Sequence, residues 1–471
     1  VEKEEKEREK GSRGVERPRS SRALKRAVAA GLAVGLTGIA AQASPQSLAA
    51  PGPASSESLV ASVADPALHE LVTQVLARNP ELAAAQAQAR AARQRAPQAK
   101  ALPDPMLGAT GYLSRPETRV GPQTVTATLS QRLPWFGKLA LREEAALREA
   151  DALDAQVEVL RFDFVTETRR LFYEIGFLDA WRTVVDSDRQ TLLHYEELAR
   201  SRYSSGVGIE QAVVKLQAEI TKDDDRLLGI ADRRAALVAA LDALRDAPQS
   251  TPIGPVTLPG YGRVALDRDS LRAKALRLRP EMARADSEIA RADALVDLAR
   301  KEYKPDVTLG LSYTAVGLRQ DAAGLAMPPP DNGKDVLAVS ASVNLPIHRG
   351  KLKAGVEEAA QARHAADEGK RAVVAGIDRS LGELTERVTL TWQQLRLLRD
   401  VLGIQADQSL RSAEAAYTAG TLSSLDLLDA ERVLLDVRTS TERARADYAI
   451  AIARLEGAVG EPLHEAEGGS R

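Results

Sequence analysis

Apolar positions along the chain follow two periods, and the change from one to the other marks out its elements. Val125, Ala127, Leu129 and Leu133 alternate with Thr124, Thr126, Thr128, Ser130 and Arg132, the signature of a strand that is apolar on one face only. Leu133-Pro134-Trp135-Phe136-Gly137-Lys138 ends it, because Pro134 cannot donate to a ladder and Gly137 permits a sharp bend. From Lys138 to Tyr203 there is no proline, and one helix of about 65 residues, about 100 Å long, is predicted. Val157, Phe164, Leu171, Leu178, Val185, Leu192 and Ala199 hold a seven-residue spacing, with Leu153, Leu160 and Ile175 between them. That comb predicts coiled-coil packing, and the Arg, Glu and Asp between its teeth exclude a helical membrane span.

Before this stretch, Asp65-Pro66 predicts a capped helix running to Lys100 with one break near Pro97. A strand over 106–114 then forms a hairpin with the strand that ends at Leu133. After the long helix, Tyr203-Ser204-Ser205-Gly206 breaks the period and a second helix is predicted over 209–245. The aperiodic stretch 247–262 reads as a linker between halves.

The second half repeats the first. Asn79-Pro80-Glu81 returns as Arg279-Pro280-Glu281, Pro103-Asp104 as Pro305-Asp306, and Leu107-Gly108 as Leu309-Gly310. Leu133-Pro134 returns as Leu345-Pro346, Gly137-Lys138-Leu139 as Gly350-Lys351-Leu352, and Tyr203 and Gly206 as Tyr417 and Gly420. The offsets drift only where turns change length, as duplication requires. The comb also returns, as Val374, Leu381, Val388, Leu395 and Leu402, and so does a hairpin, with Val307, Leu309, Leu311 and Tyr313 facing Leu337, Val339, Ala341 and Val343.

Four strands with one apolar face each leave two readings open. Either they form an ordinary sheet packed on the helices, or they enter a membrane and must close with other copies, since an open edge in lipid leaves backbone groups unpaired. An export signal favours the second: Arg22, Lys25 and Arg26 precede the apolar run 27–41, and Ala41-Gln42-Ala43 has cleavage spacing. The expected order is a charged leader and signal peptide over 1–43, a disordered linker over 44–64, repeats over 65–246 and 263–460 joined by 247–262, and a disordered tail over 461–471.

Composition narrows the chemistry. A net charge of -2 over 471 residues gives no electrostatic case for nucleic acid, and the absence of cysteine excludes disulfides, thiol catalysis and lipidation on cysteine. His69, His194, His348, His364 and His464 are scattered without ligand spacing, and no nucleophile has a base at a recognisable distance. No catalytic residue, metal site or cofactor is expected.

The duplication, the Leu-Pro and Gly-Lys-Leu entry to the long helix, and the Tyr-x-x-Gly turn followed by Asp426-Leu427-Leu428-Asp429-Ala430-Glu431 together resemble the TolC family of outer-membrane efflux proteins, over residues 65–460. Gln211 and Lys215-x-Gln217 with Leu133 to Leu139 are similar to members associated with heavy-metal pumps. The resemblance implies a mainly α fold with β: duplicated coiled-coil helices and four antiparallel strands that contribute to a transmembrane β-barrel shared by a homotrimer. It implies an exported outer-membrane channel with a periplasmic tunnel, a passive exit duct for drugs or metal ions, supplied by an inner-membrane efflux pump through a periplasmic adaptor (membrane fusion protein). On this resemblance Ser205, Gly206, Val207, Ala419, Gly420 and Thr421 form adaptor-docking turns, and Asp426, Asp429 and Tyr417 the periplasmic gate. The position matching the family's latch aspartate is Ala212, and the second-half arginine position is Leu422. Without the resemblance, Asp429 is a solvated side chain pairing with Arg432. The alternatives are a periplasmic coiled-coil scaffold or adaptor, and a duct for secreted proteins or polysaccharide.

Overall fold

A computed structural model of the chain describes residues 57–61, 63–249, 251–260 and 262–463. The expected signal peptide, most of the linker after it, and His464 lie outside the described residues. Helix α1 (Glu57–Ala61) precedes α2 (Pro66–Arg78), α3 (Pro80–Arg93) and α4 (Arg95–Lys100). Asp65 caps α2, its carboxylate accepting from the amides of Ala67 and Leu68. The helix expected to reach Lys100 with one break near Pro97 does break there, at Gln94, and breaks a second time at Asn79. Asn79 ends α2 and caps α3, its side chain accepting from Leu82 N at 3.0 Å and donating to Leu244 O at 2.8 Å. Pro97 sits in the first turn of α4, where its missing N–H costs nothing.

Strands β1 (Met106–Gly111), β2 (Glu117–Thr118) and β3 (Gly121–Leu133) follow, then α5 (Lys138–Ser204, 67 residues) and α6 (Glu210–Leu244). The second half supplies α7 (Arg268–Leu278), α8 (Pro280–Lys301), β4 (Val307–Val316), α9 (Ala322–Ala326), β5 (Val336–Val343), α10 (Arg349–Leu397), α11 (Gly403–Thr418) and α12 (Ser424–Val459). All seven teeth of the α5 comb are buried. The second comb is buried at Leu381, Val388 and Leu395 but fails at Leu402, which is exposed. A π-helical turn at Leu398–Leu402 inserts one residue, so the spacing resumes one place later, at Gly403, Leu410 and Tyr417.

The linker does more than divide the halves. Val256 and Leu258 are buried against α5, and a Cβ on Gly176 would lie 2.9 Å from Leu258 and 3.0 Å from Val256. That close approach is why a glycine stands among strong helix formers. Asp179 binds Arg234 and accepts from Val256 N at 2.9 Å, while Arg445 donates to Leu258 O at 2.6 Å.

The sheet runs β1-β3-β4-β5, all antiparallel, with the short β2 paired to β3 alone. Register puts Leu107, Leu129, Leu311 and Val339 in one row across the strands, and Ala109, Ala127, Tyr313 and Leu337 in the next on the same face. The other face carries Thr126, Thr128, Ser130, Ser312, Thr314 and Ser340. No helix covers the apolar rows: Leu107 is 78% exposed and Val339 81%. The reading of an ordinary sheet packed on helices is therefore set aside. Among the described residues no helix is long and apolar enough to cross a membrane.

Where strand meets helix, the corner is locked. Lys138 is buried at the start of α5, its ammonium donating to Asp306 at 2.9 Å, to Lys304 O at 3.0 Å and to Glu302 at 3.2 Å. Asp306 also accepts from Arg132 at 2.6 Å and from Trp135 N at 3.0 Å. Burial would raise its carboxyl, but these donors hold it down at about 2.

Candidate functional site at the helix turns

The two turns that end the long hairpins match bond for bond. In the first, Val207 N and Gly208 N donate to Arg202 O and Gly206 N to Tyr203 O; in the second, Thr421 N and Leu422 N donate to Ala416 O and Gly420 N to Tyr417 O. Gly206 and Gly420 have φ of +77° and +80°, a conformation strained for any other residue. Ser205, Gly206, Val207, Ala419, Gly420 and Thr421 are all exposed, and the apolar side chain of Val207 is 72% so.

Arg202 joins the turns. Its guanidinium donates to Tyr417 O at 2.6 Å and lies 4.8 Å from the centre of the Tyr417 ring, which is buried. Ala212, Leu216, Leu410, Tyr417, Leu427 and Leu428 form an apolar cluster behind them, with Leu422 packed at its edge. Asp426 and Asp429 are exposed on one side of α12, three residues apart. Asp426 lies in the first turn of the helix, where Ser423 Oγ donates to its carboxylate at 2.6 Å and accepts from Asp426 N at 3.3 Å. The local pair expected between Asp429 and Arg432 does not form. Arg432 instead bonds Glu219 on α6, which also receives Lys222 at 2.7 Å. Burial opposes the charge on Glu219, yet these two cations hold it below the usual carboxylate range.

Further along the same helices is a cluster of carboxyls that the sequence did not announce. Asp188 from α5, Asp223 from α6 and Glu431 from α12 are 4%, 0% and 2% exposed. Asp188 lies within hydrogen-bonding reach of both others. Asp188 Oδ1, Asp223 Oδ2 and Glu431 Oε2 have no N–H or hydroxyl partner among the described residues, while Arg226 donates to Asp223 at 2.6 Å. Like-charged neighbours in a dry site cannot all ionise, so protons bridge them. Burial first, then the adjoining carboxyl, raises Asp188 and Asp223 to about 7, and burial raises Glu431. Tyr195 donates to Glu414 beside them. Among the described residues no cluster has metal-holding geometry.

The outer membrane efflux protein family model matches residues 71–247 and 271–461, one match for each repeat. The chain belongs to that family. Nodulation protein T of Rhizobium leguminosarum bv. trifolii is 24% identical over 386 residues, covering 77% of this chain and 78% of that protein. The cobalt-zinc-cadmium resistance protein CzcC of Cupriavidus metallidurans is 22% identical, covering 72% and 77%. The solved outer membrane protein VceC of Vibrio cholerae superposes with a TM-score of 0.70 at 20% identity, covering 87% of this chain and all of that one.

For an efflux family member, the structure brings together Tyr417, both turns and the start of α12 in one region, and Asp426 and Asp429 point out of the fold. Among the described residues no hydrogen bond joins Asp426 or Asp429 to Tyr417. Arg202 was missed by sequence reasoning, although it directly precedes Tyr203, the first-half residue that repeats as Tyr417. The carboxyl cluster was missed because nothing in a single helix marks an aspartate as buried.

Proposed function

We propose that three copies of this chain form a passive outer-membrane exit duct, the channel component of a tripartite efflux system. The observation that carries the reading is the four-stranded sheet with one apolar face, exposed over its whole width and open at both edges. Three copies close twelve strands into a barrel whose outward rows are Leu, Val, Ala and Tyr and whose lumen is Thr and Ser, while the helices continue the tunnel into the periplasm. The duct binds no cofactor and performs no chemistry. An inner-membrane pump supplies energy, and a periplasmic adaptor docks on the turns at Ser205–Val207 and Ala419–Thr421. The matching turns and the exposed Val207 support that role, because they offer an adaptor two like surfaces per copy.

Asp426 and Asp429, three copies of each, form the acidic gate, where a narrow low-dielectric passage concentrates negative potential. In place of a latch at Ala212 or Leu422, the Arg202–Tyr417 clasp holds the closed end. Small solutes are the cargo, and the likeness to a cobalt-zinc-cadmium resistance protein supports metal ions among them. Conductance of the detergent-purified protein in a planar bilayer tests the reading. Discrete openings that prefer cations are expected, with the preference reduced in the Asp426→Ala/Asp429→Ala variant. A chain that stays soluble and monomeric without detergent and never conducts is instead a periplasmic scaffold.

A further inference from the structure

The sheet ends on two open edges, β1 and β5, and the duplication states what each lacks. Inside the chain, the seam between the halves is β3 against β4: Leu133 pairs with Val307, Gln131 with Leu309 and Leu129 with Leu311. Asp306, just before β4, receives Lys138, just after the corner that follows β3. The repeat gives Asp104 the place of Asp306 before β1, and Lys351 the place of Lys138 after β5. Both are exposed, and neither has a hydrogen bond or ion pair among the described residues. One chain thus carries one completed joint and the two separated halves of another.

A second observation concerns the helices. Over its first turns α5 buries Lys138, Ala145 and Ala150, packing between α8 and the α3–α4 pair. Its repeat mate α10 buries no side chain before Ile377. A helix that long with nothing buried lacks a neighbour. By the repeat, the partner it lacks is an α3–α4 pair, the first-half counterpart of α8.

We propose that β5 of one copy pairs with β1 of the next in the register of the internal β3–β4 seam, with Lys351 entering that joint to meet Asp104. Carried across the repeat, the register sets Val343 against Leu107, Ala341 against Ala109 and Val339 against Gly111. Each pair keeps to the apolar face, as a one-residue slip would not. Closure is consistent as well. Ala109 shares a row with Tyr313, two residues beyond Leu311, its own repeat mate, so each hairpin advances the row by two. Six hairpins then give a shear equal to the strand number, the ratio that tilts strands by about 36°, within the range of outer-membrane barrels. The new joint is not a full copy of the old one: Lys100 stands where Glu302 stands, and it is bound to Glu143 at 3.0 Å. Asp104 is therefore the carboxylate left for Lys351.

The inference rests on the trimeric reading, and its test separates the two. The chain has no cysteine, so introduced pairs are the only thiols. Oxidation of the Leu107→Cys/Val343→Cys protein in detergent is expected to give covalent trimers on a denaturing gel, and Leu107→Cys/Val339→Cys, four residues out of register, is expected to give monomers. Trimers that cross-link through the second pair and not the first overturn the register while leaving the duct standing; a monomer that never conducts overturns both. For the ion pair, Lys351→Glu and Asp104→Lys should each lower the temperature at which trimers dissociate, and the double exchange should restore it. A double exchange no better than the worse single removes Lys351 and Asp104 from the joint.

Discussion

Replacing Lys138 with methionine should destabilise the chain by about 3 kcal/mol at neutral pH. The ammonium is buried and spends all three of its N–H donors, on Asp306, Glu302 and the Lys304 carbonyl. Methionine fills much of the same volume but leaves Asp306, itself 5% exposed, with a charge that has lost a partner. Breaking a buried ion pair from one side costs about 3–5 kcal/mol. The lower end applies because Arg132 and Trp135 N still reach the carboxylate. Linkage gives a similar figure. Asp306 lies at about 2 against an ordinary 3.8, so its donors outweigh the penalty of its burial by roughly 2.5 kcal/mol. Since the folded value is the lower one, the unfolded chain takes up the proton first, and this stability is lost as pH falls from about 4 towards 2. Urea unfolding of the detergent-solubilised protein, followed by far-ultraviolet circular dichroism, measures the loss. Lys138→Met/Asp306→Asn, which removes the stranded charge with its partner, should cost less than Lys138→Met alone. A single substitution costing under about 1 kcal/mol, or a double costing the sum of both singles, would refute the argument.

The carboxyl cluster titrates in the opposite sense. Asp188 and Asp223 are raised to about 7 and Glu431 is raised with them, so their contribution is fully present below about pH 4 and is lost as pH rises from there through about 7; Asp188→Asn should flatten the fall of the urea midpoint between pH 4 and 7, and an unchanged slope would sink the assignment. Arg202→Ala removes a hydrogen bond and a cation–π contact worth about 1–2 kcal/mol together. It should speed hydrogen exchange at 416–424 without moving the global midpoint by more than that amount. Leu129→Arg places a charge in the centre of the outward apolar row and should cost about 2–4 kcal/mol in lipid, seen as a fall in trimer yield; normal yield would count against the barrel.

Periodic features were legible in the sequence because each is a repeated local choice. The comb on α5, the alternation that puts Leu129, Leu309 and Val339 on one side of the sheet, and the repeated turns all came from spacing, and the structure carries each of them. What spacing could not supply is anything that depends on two distant segments meeting. The π turn shifts the second comb by one residue, and no residue at Leu398–Leu402 announces it. Arg432 was assigned to Asp429 because both lie on one helix, but Glu219 from α6 took it. Gly176 stands among strong helix formers, and only the linker crossing it accounts for a glycine there. Asp188 and Glu431 are charged letters on helices rich in charge, and only the packing of three helices makes them buried.

Those missed contacts share a place and a purpose. Going along α5, Arg169 bonds Glu456 at 2.6 Å, Glu174 bonds Arg443 at 2.7 Å, Asp188 meets Glu431, and Arg202 reaches Tyr417. As the number rises on the first half it falls on the second, so together they form an antiparallel ladder between the repeats. A seven-residue comb cannot choose its own register, because a slip of one heptad, about 10.5 Å, sets apolar teeth against apolar teeth again. The same slip would carry every rung away from its partner, and at the buried Arg169–Glu456 pair the stranded charges cost about 3–5 kcal/mol. The rungs therefore contribute little to stability in the aligned state and a great deal against the misaligned ones. A duplicated chain needs that discrimination, since each half carries a comb that would accept the other at several heights.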